Sequence, residues 1–116
     1  MAYAPGLTQV NGTAAVTNGG VTSVIIAAQG AGKVLRITKG VVAVTLAATG
    51  ATGLVRICDG STTIQQWDAN TASGSFAFDY GDVGYPLTAN TAFQLIVSGA
   101  GTNQASATCS AVALVA

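Results

Sequence analysis

An all-β, single-domain β-sandwich of jelly-roll type is the fold this sequence predicts, and three observations predict it. Nearly every segment alternates apolar and polar residues with period 2 or forms a short β-branched run, and no stretch sustains a helical period. Turn-forming clusters of Gly, Asn, Thr and Ser separate these segments about every 8 to 12 residues, the spacing of a sandwich or barrel. The composition sets 22 Ala, 15 Gly, 15 Thr and 13 Val against seven aromatic residues, which suits a thin core between closely packed sheets. At 116 residues the chain is one domain, able to bury roughly 65% of its unfolded surface. It is half apolar and formally neutral, the reverse of the low hydrophobicity and high net charge of a disordered chain.

Residues 1–20 are rich in Gly, Asn and Thr, alternate weakly at 13–17, and end in Asn18-Gly19-Gly20. They predict a flexible N-terminal arm with one short strand, ahead of a sandwich domain over 21–116. Strands are then predicted at 21–28, 33–39, 41–48, 54–58, 62–67, 75–80, 91–98 and 105–115, with turns at 29–32, 49–53 and 69–74. Within 33–39, alternation places Val34, Arg36 and Thr38 on one face and Lys33, Leu35, Ile37 and Lys39 on the other. In the last strand, Ala105, Ala107, Cys109, Ala111, Ala113 and Val115 form a small apolar face. The opposite face begins with Ser106, Thr108 and Ser110 and turns apolar at Val112 and Leu114, so its C-terminal half is expected to be covered on both sides. Asp59-Gly60 between two alternating runs is the sharpest local signal. It predicts a hairpin with a type I′ turn, which needs positive φ at both central residues.

Charge is scarce: four Lys or Arg, four Asp, no Glu and no His. General acid–base chemistry draws most often on His, Asp or Glu, so the expectation is a protein that is not an enzyme. A net charge of zero lacks the basic excess that displaces counterions from nucleic acid. The longest strongly apolar run, residues 41–48, falls short of the ~20 residues of a spanning helix. Neither a nucleic-acid partner nor a membrane is expected. Met1 with no basic n-region behind it reads as a chain made in a cytoplasm without a secretory signal.

No cofactor or metal motif stands out. Gly30-Ala31-Gly32-Lys33 lacks the first Gly and the Ser or Thr of a phosphate loop, and a strand follows it where a helix is needed. Asp79 and Asp82 flank a Gly and are expected to shape a turn by accepting local N–H groups. Cys58 and Cys109 are expected to be buried free thiols, the alternative being a strand-to-strand disulfide if their strands are neighbours with Cα atoms within about 7 Å. Phe76, Phe78 and Tyr80 share a face of one strand and are expected in the core. The rival reading of this aromatic group, with Trp67-Asp68 and Asn70, is a platform for stacking a saccharide. Lys33, Arg36 and Lys39 are the only cationic cluster, read either as solvated edge charges or as contacts to acidic groups of a partner.

Gly32-Lys33-Val34-Leu35-Arg36-Ile37, then Val55-Arg56-Ile57-Cys58-Asp59-Gly60, then Phe93-Gln94-Leu95-Ile96-Val97 together resemble a recurring plan. It is similar to that of the small β-sandwich head decoration, or cement, proteins of tailed bacteriophages. The resemblance covers roughly residues 21–116 and implies a sandwich on the outer surface of a capsid, commonly a homotrimer bound to the major capsid protein. An arm would then reach the shell or a neighbouring subunit, which makes Tyr3, Leu7 and Val10 candidate partner contacts beside Lys33, Arg36 and Lys39. A surface with so few charges also lacks what keeps soluble monomers apart. The alternatives are a head-fibre or tail component of such a virion, and a small carbohydrate-binding sandwich module.

Overall fold

Nine antiparallel strands form two sheets in the structure, a computed structural model that describes residues 7–16, 21–45, 54–68, 74–98 and 106–115. They are β1 (Thr8–Val16), β2 (Val21–Ile26), β3 (Leu35–Thr45), β4 (Leu54–Asp59), β5 (Thr62–Asp68), β6 (Gly74–Asp79), β7 (Tyr85–Pro86), β8 (Phe93–Ser98) and β9 (Ser106–Val115). One sheet runs β1-β9-β3-β6, with β7 also paired to β3; the other runs β2-β8-β4-β5. The pairs nest: β1 with β9, β2 with β8, β3 with β6, and β4 with β5. Rolling four nested pairs so that β9 meets β3 and β8 meets β4 gives the eight-stranded jelly roll, with β7 as an addition at one edge. The expected sandwich of jelly-roll type is therefore the fold observed.

Three local expectations are corrected. The short strand expected at 13–17 is a nine-residue edge strand, β1, paired without interruption to β9 from Thr8 to Val16. Val16 is buried, and Val10 and Ala14 pack against the core, so residues 8–16 are built into the sandwich. Residues 1–6 and 17–20 lie outside the described residues. Next, the strands expected at 33–39 and 41–48 are one continuous strand to Thr45, because Gly40 does not interrupt the ladder.

That strand carries a bulge at Thr38, where the pairing steps from Ile37↔Ala113 to Lys39↔Val112. An extra residue reverses the alternation beyond it. Leu35 and Ile37 point inward before the bulge and Val42 and Val44 after it, which leaves Arg36 and Lys39 both facing outward rather than on opposite faces. Thr38 itself is buried and satisfied: its Oγ1 donates to the Val112 carbonyl at 2.8 Å, and its own carbonyl accepts from the Tyr80 N–H at 2.6 Å.

The third correction concerns the hairpin, which is present but turns one residue later than Asp59-Gly60. Asp59 pairs with Thr62, so the two loop residues are Gly60 and Ser61. Only Gly60 has positive φ, at 61°, which is the pattern of a type II′ turn. The Asp59 carboxylate is used elsewhere. Its Oδ2 accepts from both the N–H and the hydroxyl of Thr88, at 2.9 and 2.8 Å, while the Gly60 N–H donates to the Ala92 carbonyl. These bonds tie the hairpin to the loop entering β8.

The core follows from unequal side-chain sizes. Ala107, Cys109, Ala111 and Ala113 of β9 line the inner face of the first sheet, as expected. Opposite them stand Val55, Ile57, Phe93, Leu95 and Val97 of the second sheet, all fully buried. Small residues on one sheet let large ones on the other reach across at ordinary sheet spacing, and each large one buried is worth roughly 1.5–3 kcal/mol. Leu114, on the outer face of β9, is also fully buried, matching the expected double cover of that end.

The sandwich closes differently at its two sides. Where β1 faces β2, Gly12 sits against the Ile25 carbonyl and the Ile26 side chain, with no room for a Cβ. Where β5 faces β6, aromatic rings fill the gap: Trp67 stacks on Phe76 at 5.6 Å, and Phe78 meets Trp67, Tyr80 and Phe93 at 5.9–6.3 Å. The Tyr80 hydroxyl donates to Gln65 Oε1 at 2.6 Å across the same gap. The expected aromatic core layer is thus an edge closure, with Phe78 and Phe93 buried and the other three rings half-buried.

Candidate functional site

The outer face of the β1-β9-β3-β6 sheet is the candidate site, and its character follows from register. Pairing aligns Asn11, Val112, Lys39 and Asp79 in one outward row across the four strands. The next outward row is Thr13, Ser110, Val41 and Ala77, and the one after that is Ala15, Thr108, Ala43 and Ser75. Between the first two rows lies an open groove of about 510 Å³, its floor formed by the backbone of Gly12, Ala111, Gly40 and Phe78. Apart from Lys39 and Asp79, these rows contain only uncharged side chains, and all but Asn11, Lys39 and Asp79 are short. Val41, at the middle, is 47% exposed.

The corresponding face of the second sheet is different. Its row Thr22, Ile96, Arg56 and Gln66 carries long side chains, and Arg56 reaches the Thr63 hydroxyl with Nη1 at 3.4 Å. Covering long flexible side chains costs more conformational entropy than covering Ala, Ser, Thr and Val. Those three rows of the first sheet are therefore easier to bury against another protein surface than this row of the second, with Arg36 in the row beyond them.

The candidate partner contacts do not form one patch. Lys33 is exposed in the turn before β3, whose amide donates to the Gly30 carbonyl at 3.1 Å. Arg36 and Lys39 share the outer face of β3 on either side of the bulge, with the Gly84 turn packed on the Arg36 backbone. Leu7 is half-buried just before β1, Val10 faces the core, and Tyr3 lies outside the described residues. The rows around Val41 were not singled out in the sequence. Their signal is present only as outward positions of four separate strands, and strand order is what brings those together.

The groups with chemical potential have structural duties. Asp79 Oδ1 accepts from the Gly81 N–H at 2.8 Å, the expected turn-shaping bond, while Asp82 stands exposed. The Gly30–Lys33 segment is a turn held to Asn90, whose Oδ1 accepts from the Gly30 N–H at 3.1 Å, and it leads into a strand. Trp67 has one ring face occupied by Phe76 at an interplanar angle of 19°; Asn70 lies outside the described residues.

Both cysteines are free and buried. Burial pushes the Cys109 thiol up from 9.0 to about 12. Cys58 is also raised by burial, against smaller opposing effects of its Thr63 hydrogen bond and the Arg56 charge. Neither favours the thiolate that acts as a nucleophile. A consequence is measurable. Above pH 9 the unfolded chain releases a proton that the folded chain keeps at Cys109, so this contribution is whole below pH 9 and lost as pH rises toward 12. Unfolding free energy should fall in that window by at most about 1.4 kcal/mol per pH unit for one such group. Urea titrations at several pH values should show the slope, and Cys109→Ala should lessen it, leaving the share of Cys58, which is raised in the same direction. An unchanged slope would clear Cys109 of the effect.

No family model matches this sequence, and no curated protein matches it in sequence. Among solved structures, a chain of the cyanophage Pam1 capsid asymmetric unit is similar over 94% of this chain and 84% of its own length, at 14% identity and a TM-score of 0.53. A chain of the virus-like particle of extra small virus from the giant freshwater prawn Macrobrachium rosenbergii is similar over 99% and 82%, at 13% identity and a TM-score of 0.44. The first likeness is one of fold: the sandwich described above recurs, nearly end to end, in a chain of a viral capsid.

Proposed function

We propose that this protein is a non-enzymatic structural component of a virion, a decoration or cement protein that binds the major capsid protein on the outer surface of an assembled phage head. The observation that carries the proposal is the likeness of fold, over 94% of the chain, to a chain of a cyanophage capsid. The chemistry of the surface supports it: 5794 Å² of accessible area bears only the eight formal charges of the chain. Obligate interfaces are more apolar and poorer in charge than ordinary surface. Stabilisation of the shell is then additive binding energy, and self-association, with a homotrimer favoured, multiplies it. Tyr3, Leu7, Lys33, Arg36 and Lys39 are the proposed shell contacts, Val10 being turned to the core. A saccharide platform is the weaker reading, because one face of Trp67 is already taken by Phe76.

The test is location on the particle. An antibody against the recombinant chain is expected to label the heads of intact virions, and the chain to co-sediment with heads from which it has been stripped. Labelling confined to fibres or tails would reassign it to those structures. Absence from particles would overturn a virion role.

A further inference from the structure

We infer that β1 is the strand by which the shell protein is held: an extended, uncharged segment of that protein lies along β1 and adds a strand to the β1-β9-β3-β6 sheet. The inference deepens the proposed function by naming the contact, and it rests on that reading.

Hydrogen bonds made by β3 fix which main-chain groups of β1 are open. The Leu87 N–H donates to the Leu35 carbonyl and the Tyr80 N–H to the Thr38 carbonyl, so Leu35 and Thr38 turn toward the β6 and β7 side. Main-chain groups alternate sides along a strand. Arg36 before the bulge and Lys39 after it therefore turn toward β9, onto Leu114 and Val112. Both sides of the bulge agree: the even residues of β9 bond β3, which leaves its odd residues to bond β1. Register then gives Val10, Gly12, Ala14 and Val16 to β9. Asn11, Thr13 and Ala15 direct their N–H and C=O groups to the other side, where β1 pairs with no strand. All three residues are exposed.

The other edges of the sandwich carry features that resist pairing. β2 bulges at Ile25, and β5 has an extra residue, Ile64, opposite the step from Ile57 to Cys58. β6 is short, ends at Asp79, and shares its side of β3 with β7 and its Pro86. β1 has none of these, with nine residues in unbroken register, no charge and no proline. A long, uncharged, unbroken edge is a template for an added strand.

The occupant follows from the same strand. A segment without charges meets no unmatched charge on β1. Leu7, one of the proposed shell contacts, directly precedes β1, which places the shell beside this edge. Pairing with β1 of a second copy would close at two copies, unlike the favoured homotrimer.

Amide hydrogen exchange and head binding test the inference together. In the free chain the amides of Asn11, Thr13 and Ala15 are expected to exchange at least about tenfold faster than those of Gly12 and Ala14. On stripped heads the same three are expected to slow to the rate of their neighbours. Thr13→Pro removes one outward donor and spares the ladder to β9. It is expected to weaken co-sedimentation with heads about tenfold, on the scale of one lost hydrogen bond. Thr13→Val, which keeps the N–H, is expected to bind as the natural chain does. Bound chains whose three amides stay fast, or equal binding by the two variants, would overturn the edge and leave the shell reading standing. Slow amides in a free chain of twice 11.3 kDa would give the edge to a second copy and overturn the assigned occupant. A natural chain that binds no heads would overturn the shell reading, and this inference with it.

Discussion

Gly12→Val is expected to destabilise the fold by roughly 3 kcal/mol, at the upper end of what overpacking typically costs. The added Cβ would fall on the Ile25 carbonyl and within 2.6 Å of Ile26 Cγ1. The first obstacle is backbone of the opposing sheet, which cannot rotate aside as a side-chain tip would. Propensity alone points the other way, since Val favours a strand and Gly weakens one. The sign of the effect therefore separates two pictures. If residues 8–16 were a loose arm, the substitution would leave stability unchanged or raise it. If β1 closes the sandwich against β2, the midpoint of urea unfolding drops. Thr13→Val, next along the strand and facing outward, is the control and should lie within about 0.5 kcal/mol of the natural chain.

Gly12 also marks where the sequence could be read and where it could not. Period 2 shows clearly in β9, where Ala107, Cys109, Ala111 and Ala113 alternate with Thr108, Ser110 and Val112, and over Val55, Arg56 and Ile57 in β4. It is weak in β1, whose inward positions are Val10, Gly12, Ala14 and Val16. A glycine needed for close approach reads locally as a breaker. The same confusion split β3 in two at Gly40, where the ring of Phe78 and the Ser110 carbonyl occupy the space a Cβ would take. The bulge at Thr38 has no local signature either. It is held by Val112 and Tyr80, 74 and 42 positions along the chain, and those contacts decide that Arg36 and Lys39 share a face. The hairpin turn shifted by one residue for a similar reason: Asp59 is drawn to Thr88, leaving Gly60 and Ser61 to make the turn. The candidate face is the extreme case, since its rows join residues from positions 11 to 112. Alternation says which residues point outward; only strand order says which of them stand side by side.

Phe78→Ala is expected to cost about 3–5 kcal/mol, the range for a buried aromatic truncated in a core. Against the 5–15 kcal/mol of stability usual for a domain, that is a large share. Phe78 is 4% exposed and its ring touches three others, Trp67, Tyr80 and Phe93. Each such pair adds about 0.5–1.5 kcal/mol beyond the area it buries. The β5 and β6 side of the sandwich has this ring cluster where the β1 and β2 side has direct backbone approach. The two sides should accordingly fail in opposite ways. The Gly12 side tolerates no added atoms, whereas the Phe78 side tolerates no lost ones. Phe78→Leu, which keeps much of the volume but no ring, should lose mainly the stacking part. Trp67 fluorescence provides a local reading, because a collapsed cluster would wet the indole. If Phe78→Ala costs less than about 1 kcal/mol with the Trp67 emission unmoved, the rings merely fill that side and the two sheets are held together from the Gly12 side alone.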